Sequence, residues 1–129
     1  MTTVGEQLPP LTIEATPTFV VSTALATRDF QDVHHDRDRA LERGSKDIFV
    51  NILTDTGLVQ RYITDWAGPS AMIKSIGLRL GVPWYAYDTV TFRGEVTAVE
   101  DGLVTLKIVG ANSLGDHVIA NATLAIGGA

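Results

Sequence analysis

The chain has 129 residues, of which 45% are hydrophobic and 19% are charged, and these values are typical of a single globular domain. Its net charge of -5 argues against nucleic acid or an anionic membrane surface as a partner. The chain contains no cysteine, which excludes disulfides, thiolate metal sites and a cysteine nucleophile.

The first 26 residues predict an extended lead-in and then one strand. Residues 1–16 are predicted to be the extended lead-in. Residues 1–19 lack a positive region followed by an apolar run, so no signal peptide is expected and the predicted location is the cytoplasm. No apolar stretch approaches the roughly 18 residues that would span a bilayer. Residues 18–26 (TFVVSTALA) are bounded by proline and by charge and are rich in β-branched side chains, which predicts a strand.

The following segment concentrates charge. Residues 28–47 contain 11 charged side chains together with two adjacent histidines. Within this segment, residues 36–44 (DRDRALERG) predict one or two helical turns that end at Gly44. Most of these charges are interpreted as a solvated face, on which ion pairs contribute little to stability.

One long helix is predicted over residues 51–66 (NILTDTGLVQRYITDW). Apolar side chains recur every three to four positions there and form one broad face. Asn51 is a suitable N-cap, Asp55 lies in the first turn, and Gly68 ends the helix. A glycine inside a helix costs about 1 kcal/mol relative to alanine, so we expect Gly57 to pack closely against a neighbour.

Four strands are predicted after the helix, at residues 70–80, 89–99, 103–110 and 117–126, with a hairpin turn at residues 100–102. Their order predicts a meander. A five-stranded antiparallel sheet wrapped around one long helix is the hot-dog arrangement, of α+β class, and the whole chain is interpreted as one such domain. Such a sheet leaves an edge strand and part of a face uncovered, so pairing with a second hot-dog domain is expected.

Asp29 and His34 lie five residues apart in the charged segment that follows the first predicted strand. A carboxylate and an imidazole that contact the same water can take a proton from it and return a proton to a substrate carbon. By itself this spacing fits a surface loop better than a catalytic site.

The sequence around this pair resembles the MaoC-like (R)-specific enoyl-CoA hydratases, whose motif is Gly-Asp-x-Asn-Pro-hydrophobic-His. Residues 28–34 (RDFQDVH) match the motif at Asp29 and His34. Residues 80–90 (LGVPWYAYDTV) are similar to the strand junction of the family, and the resemblance covers residues 18–126. Three motif positions differ, with Arg28 for glycine, Gln31 for asparagine and Asp32 for proline.

The resemblance implies that Asp29 and His34 are catalytic and activate water for addition to a 2-enoyl-CoA thioester. It implies that the backbone amide of Ile52 is the oxyanion donor, since residues 51–53 stand where the family has His-Gly-Met. The first amides of a helix lack partners within the helix, which suits that role. No cofactor is expected, because coenzyme A is part of the substrate.

The chain is most similar to the short catalytic subunits of the steroid side-chain enoyl-CoA hydratases of cholesterol-degrading bacteria. Those enzymes join a short subunit that carries the Asp/His pair to a different MaoC-like subunit. The resemblance therefore implies a second hot-dog subunit as partner, in a heterodimer or heterotetramer, with a steroid acyl group between unlike halves.

Two other functions are compatible with a hot-dog domain. An acyl-CoA thioesterase would place an acidic residue on the central helix, for which Asp55 and Asp65 are candidates, but it would leave the Asp29/His34 pair without a role. The chain could also be a non-catalytic structural subunit or an acyl-CoA sensor.

The remaining polar residues carry weaker predictions. Adjacent His34 and His35 would point to opposite faces of an extended backbone and no third ligand has suitable spacing, so no metal site is predicted. His117 is interpreted as structural or exposed. Three cations are candidates for contact with coenzyme A phosphates: Lys74, Arg79 and Arg93.

Overall fold

The protein is described by a computed structural model over residues 2–126, which form a five-stranded sheet and three α-helices. The helices are α1 Pro17–Ala26, α2 Arg37–Glu42 and α3 Ile52–Ala67. The strands are β1 Gln7–Glu14, β2 Met72–Leu80, β3 Thr89–Glu100, β4 Leu103–Asn112 and β5 Gly115–Ala125. A single turn of 3-10 helix covers Asp32–His34. The predicted charged helix and the predicted long helix are confirmed as α2 and α3.

The sheet is entirely antiparallel and its strand order is β1-β3-β4-β5-β2. The predicted α+β hot-dog fold is thereby confirmed, with β1 and β2 at the two edges. The predicted meander is correct for β3, β4 and β5 but wrong for β2, which pairs with β5. Residues 81–88 separate β2 from β3, and a connection of that length exceeds a tight hairpin, so the chain crosses to a different position in the sheet.

Residues 18–26 were predicted as a strand, and this prediction is wrong because they belong to α1. Thr16 caps the helix, since its hydroxyl accepts a hydrogen bond from the Phe19 amide at 3.1 Å, and Pro17 occupies the first turn. A threonine cap followed by proline is a helix start signal that outweighs the β-branched composition. Val20 and Ala24, one turn apart, are fully buried.

The predicted lead-in also contains more structure than expected, since β1 pairs with β3 along the edge of the sheet. Pro9 and Pro10 lie where the register shifts, between Leu8 and Leu11. Proline lacks an amide hydrogen and is tolerated at such an edge irregularity, so the two prolines do not exclude a strand.

The core lies between the apolar face of α3 and the inner face of the sheet. Leu58, Val59, Tyr62 and Ile63 supply the helical side and recur at the spacing of one face. Trp84 is fully buried beside them, and its indole nitrogen donates to the Asp88 carbonyl at 3.0 Å. The residues that connect β2 to β3 are therefore part of the core, which fixes one wall of the site described below.

Gly57 is not packed closely, contrary to the sequence-based expectation. It is exposed, and a Cβ atom at this position would meet nothing within 4 Å. Gly57→Ala is therefore expected to raise the free energy of unfolding by about 1 kcal/mol, because alanine restricts the unfolded chain and fits the helix. Urea denaturation followed by circular dichroism measures this change. An unchanged or lower value would contradict this expectation.

Candidate active site

The charged loop brings Asp29 and His34 together, as the motif predicts. The loop leaves α1 through Thr27, and the Asp29 amide donates to the Ala24 carbonyl at 2.9 Å. The 3-10 turn then carries His34 back, so that Asp29 Oδ2 and His34 Nε2 lie 3.5 Å apart. This separation is long for a direct hydrogen bond, and a water that contacts both atoms would complete the arrangement.

The hydrogen bonds of His34 define which of its nitrogens is free. Nδ1 lies 2.7 Å from the Phe49 carbonyl oxygen, and a carbonyl only accepts, so Nδ1 carries the hydrogen and donates it. In the neutral ring, Nε2 therefore presents its lone pair to Asp29 and the cavity. The Phe49 ring packs edge-on against the imidazole with centroids 4.8 Å apart, and His34 is buried. The ring is thus fixed in one orientation.

A cavity of about 410 Å³ collects the three predicted site residues. Asp29 and His34 line one side, and Ile52 lines another at the first position of α3. The Ile52 amide has no carbonyl four residues before it within the helix and lies at the positive end of the helix dipole. The cavity is therefore lined by an acid–base pair and by the first residue of a helix, a position at which backbone amides favour negative charge.

A larger, shallower depression of about 560 Å³ lies along β2 and β5. Among residues 2–126, Arg79 is its one charged lining residue and no acid–base pair lines it, which favours the cavity at Asp29 and His34 as the candidate site. Lys74, Arg79 and Arg93, the candidates for phosphate contact, do not line that cavity within residues 2–126. Arg79 lines the shallow depression instead, while the neighbouring Leu80 lines the cavity.

His117 and Asp55 form a second acid–base pair, which is buried. His117 Nε2 lies 2.9 and 3.0 Å from the two Asp55 oxygens, and His117 Nδ1 donates to the Val82 carbonyl at 2.6 Å. The Asp55 side chain is inaccessible and that of His117 is 2% exposed. His117 also lines the cavity. Because it is buried, the exposed role interpreted from sequence is wrong, and the structural role stays a prediction.

Burial raises the pKa of Asp55, although its contact with His117 opposes this change. Burial tends to lower the pKa of His117, but the Asp55 carboxylate and the Val82 carbonyl outweigh it and the net change is upward. The raised pKa of Asp55 and the raised pKa of His117 have the same consequence. Each favours the state in which the two side chains together hold one proton, so that the pair has no net charge.

Neither thioesterase candidate presents a free carboxylate to the cavity. Asp55 is fully buried against His117, and Asp65 is exposed and lies 3.4 Å from Arg61, one turn back on the same helix. Asp29 and His34, in contrast, both line the cavity. The geometry thus favours chemistry at Asp29 and His34 over chemistry on the central helix.

The loop that carries His34 is tied to α2 by ion pairs. Arg43 Nε lies 2.8 Å from Asp32 and Arg39 Nε lies 3.4 Å from it. The hydrogen bond from Arg43 holds the pKa of the Asp32 carboxyl below its usual value, despite an opposing effect of burial. Asp32 stands where the family motif has proline. Its ion pairs with Arg39 and Arg43 connect the loop to α2, which a proline at this position could not do.

The chain is 77% identical over 126 residues to the 3-oxo-4,17-pregnadiene-20-carboxyl-CoA hydratase beta subunit of Mycobacterium tuberculosis, and the match covers 98% of each protein. The chain belongs to the MaoC-like hot-dog hydratases. No family model matches it.

Solved structures agree with this membership. One chain of the crystal structure of the ChsH1-ChsH2 complex from Mycobacterium tuberculosis matches with a TM-score of 0.96 and 77% identity, covering 98% of this chain and 99% of that one. The (R)-hydratase from A. caviae involved in PHA biosynthesis matches with a TM-score of 0.88 at 21% identity, covering 96% of both chains. The second likeness supports the fold alone.

Arg28 occupies the motif glycine position of the MaoC-like family and adopts a left-handed backbone conformation, with φ of 59°. Glycine enters this region without strain, whereas a side chain such as arginine does so at a cost. The loop therefore keeps a backbone shape suited to glycine despite the substitution.

Sequence reasoning missed two residues of the site. Asn51 was predicted as an N-cap only, yet its side chain contacts Asp29. His117 gave no local signal, because its partner Asp55 is 62 positions away.

In residues 2–126, no three histidine, aspartate or glutamate side chains converge as a metal would require. Over the same residues, no helix is both long and apolar enough to cross a membrane.

Proposed function

We propose that this chain is the catalytic subunit of an enoyl-CoA hydratase, which adds water reversibly across a 2-enoyl-CoA thioester to give a 3-hydroxyacyl-CoA. One observation carries the proposal: Asp29 Oδ2 and His34 Nε2 lie 3.5 Å apart and both residues line the cavity that includes the first residue of α3. Membership of the MaoC-like hydratases supports the same reaction.

In the proposed reaction, a water molecule binds between Asp29 and His34. Since His34 Nδ1 holds its hydrogen on the Phe49 carbonyl, Nε2 has the lone pair that accepts a proton from the water. The other hydrogen of the water stays on its oxygen and donates a hydrogen bond to Asp29, which orients that oxygen toward C3. The hydroxyl bonds to C3, and the proton taken from the water is returned to C2, so the net reaction adds one water across the double bond.

The thioester oxygen gains negative charge as C3 is attacked, and in the proposed reaction the Ile52 amide donates a hydrogen bond to it. Removal of one oxyanion-hole donor costs roughly 2.7–4 kcal/mol of transition-state stabilisation in other enzymes. The reaction transfers no electrons, so the proposal needs no cofactor, and coenzyme A enters only as part of the substrate.

We extend the proposal to the acyl group and to the partner. The similar hydratase beta subunit is named for a steroid thioester, 3-oxo-4,17-pregnadiene-20-carboxyl-CoA. A cavity of about 410 Å³ lies near the lower end of the range for drug-sized ligands, and a steroid joined to coenzyme A greatly exceeds one such ligand. The rest of the substrate must bind outside this cavity. A second hot-dog subunit would complete the site. This agrees with the ChsH1-ChsH2 complex, in which the chain similar to this one is bound to a partner.

A mass measurement tests the proposal. The chain is co-expressed with a MaoC-like partner and incubated with 2-enoyl-CoA thioesters that range from short-chain to steroidal. Gain of one water with the thioester intact, for the steroidal member most of all, is the expected result. Release of free coenzyme A would instead identify a thioesterase, and an unchanged panel would identify a non-catalytic subunit.

The cytoplasmic location stays a prediction.

A further inference from the structure

Asn51 occupies the N-cap position of α3 but does not cap the helix with its side chain. It is 2% exposed and has the extended backbone typical of an N-cap. An N-cap asparagine normally accepts a hydrogen bond from an amide of the first turn, whereas this one makes no such bond. Its side chain is directed to other partners.

Those partners fix the orientation of the Asn51 amide. Asn51 Nδ2 lies 3.2 Å from Asp29 Oδ2 and 2.9 Å from the Thr27 hydroxyl. An ionised carboxylate only accepts, so the nitrogen must be the atom that faces Asp29. The amide oxygen then faces Thr54, whose hydroxyl donates to it at 2.5 Å. The Thr27 hydroxyl in turn donates to the Thr23 carbonyl at 2.8 Å, so each polar atom has a consistent partner.

We infer that Asn51 is a positioning residue for Asp29 in the hydration proposed above. It holds the same oxygen, Oδ2, that faces His34 Nε2, and it therefore sets where the shared water can bind. Because its oxygen is engaged by the Thr54 hydroxyl, the Asn51 side chain caps no amide of the first turn of α3 and is held against Asp29 instead. The inference rests on the proposed function.

The test is a double-mutant cycle between Asn51 and Asp29, measured on the assembled complex with the thioester that the panel identifies. Asn51→Ala is expected to lower kcat on the order of 10²-fold with KM nearly unchanged, because displacement of a catalytic group by about 1 Å can have that effect. In the Asp29→Asn background, the same substitution is expected to lower kcat less than about 3-fold, since the group that Asn51 positions is already lost.

Equal losses in the two backgrounds would overturn the inference, because a residue with a purely structural role lowers the rate whatever stands at position 29. An Asp29→Asn variant with a normal rate would overturn the proposed function, and the inference with it. Gln60→Ala serves as a control, because it also removes a side-chain amide, on the exposed face of the same helix, and should leave kcat unchanged.

A second variant keeps the test decisive if Asn51→Ala does not assemble. Thr54→Val removes the hydroxyl that holds the Asn51 oxygen and leaves Asn51 and Asp29 in place. We expect kcat to fall several-fold in the wild-type background and not in the Asp29→Asn background. A loss of the same size in both backgrounds would again contradict a role that acts through Asp29.

Discussion

His34→Ala is expected to lower kcat for hydration by about 10²–10⁴-fold, with assembly and KM little changed. The imidazole has one free nitrogen, Nε2, and it faces Asp29 and the cavity, so its loss removes the base that accepts the proton of water. Asp29→Asn should cause a loss of similar order, because the amide is uncharged and has an N–H donor at one of its two ends, so it does not hold and orient the water as the carboxylate does. Steady-state kinetics of each variant complex measures both effects.

The adjacent histidine provides a matched control. His35 is exposed where His34 is buried, so the two side chains diverge from neighbouring positions of the same loop. His35→Ala should therefore leave kcat within about twofold of the wild-type value. Similar losses from both histidine variants would mean that the loop was disrupted, and near-normal rates in Asp29→Asn and His34→Ala would contradict the assignment of the site.

The fold could be predicted from sequence because its largest parts carry local signals. The apolar spacing of the long helix, the alternation along β3 and β4 and the Asp101-Gly102 turn all depend on neighbours within a few positions. Both residues of that turn have positive φ, 50° and 78°, as a tight hairpin requires. Information of this kind lies within a short window of sequence, and the corresponding predictions were correct.

The errors in the fold came from residues with two competing signals. In α1, a run of valine and threonine favours a strand, while a threonine cap and a proline in the first turn favour a helix. In β1, two prolines suggest an irregular lead-in, yet the edge of the sheet accommodates them at a register shift. The position of β2 beside β5 depends on a crossover whose geometry no short window encodes.

The site divides in the same way. Asp29 and His34 could be proposed because a short motif carries them, and Ile52 because residues 51–53 stand where the MaoC-like family has the oxyanion donor. Asn51 was assigned to the usual role of its position, and only the arrangement of three segments shows that it faces Asp29 instead. His117 meets Asp55 across 62 positions, which is a contact between a strand and a helix that packing alone determines.

The buried pair of His117 and Asp55 leads to a prediction about stability. His117→Ala is expected to lower the free energy of unfolding by about 3–5 kcal/mol, because it leaves a carboxylate with no solvent exposure and no partner. It also removes the donor to the Val82 carbonyl, in the loop that forms a wall of the cavity. Asp55→Asn should cost less, because the amide NH₂ can donate a hydrogen bond to Nε2 of the neutral His117 ring, whose Nδ1 still donates to the Val82 carbonyl. Chemical denaturation at pH 7 compares the two variants.

The pH dependence of stability distinguishes this pair from an ordinary buried contact. The pKa of His117 is raised above its ordinary value of 6.5, so the folded protein binds more protons than the unfolded chain above that pH. The stabilisation is therefore complete below pH 6.5 and is lost as the pH rises through the raised pKa. The raised pKa of Asp55 acts in the same direction from its ordinary value of 3.8 upward. In Asp55→Asn the carboxylate that raises the pKa of His117 is absent, so the decline above pH 6.5 should flatten. An identical decline in wild type and Asp55→Asn would mean that other groups cause it. A decline confined to the wild type would show that the proton shared by Asp55 of α3 and His117 of β5 stabilises the folded protein.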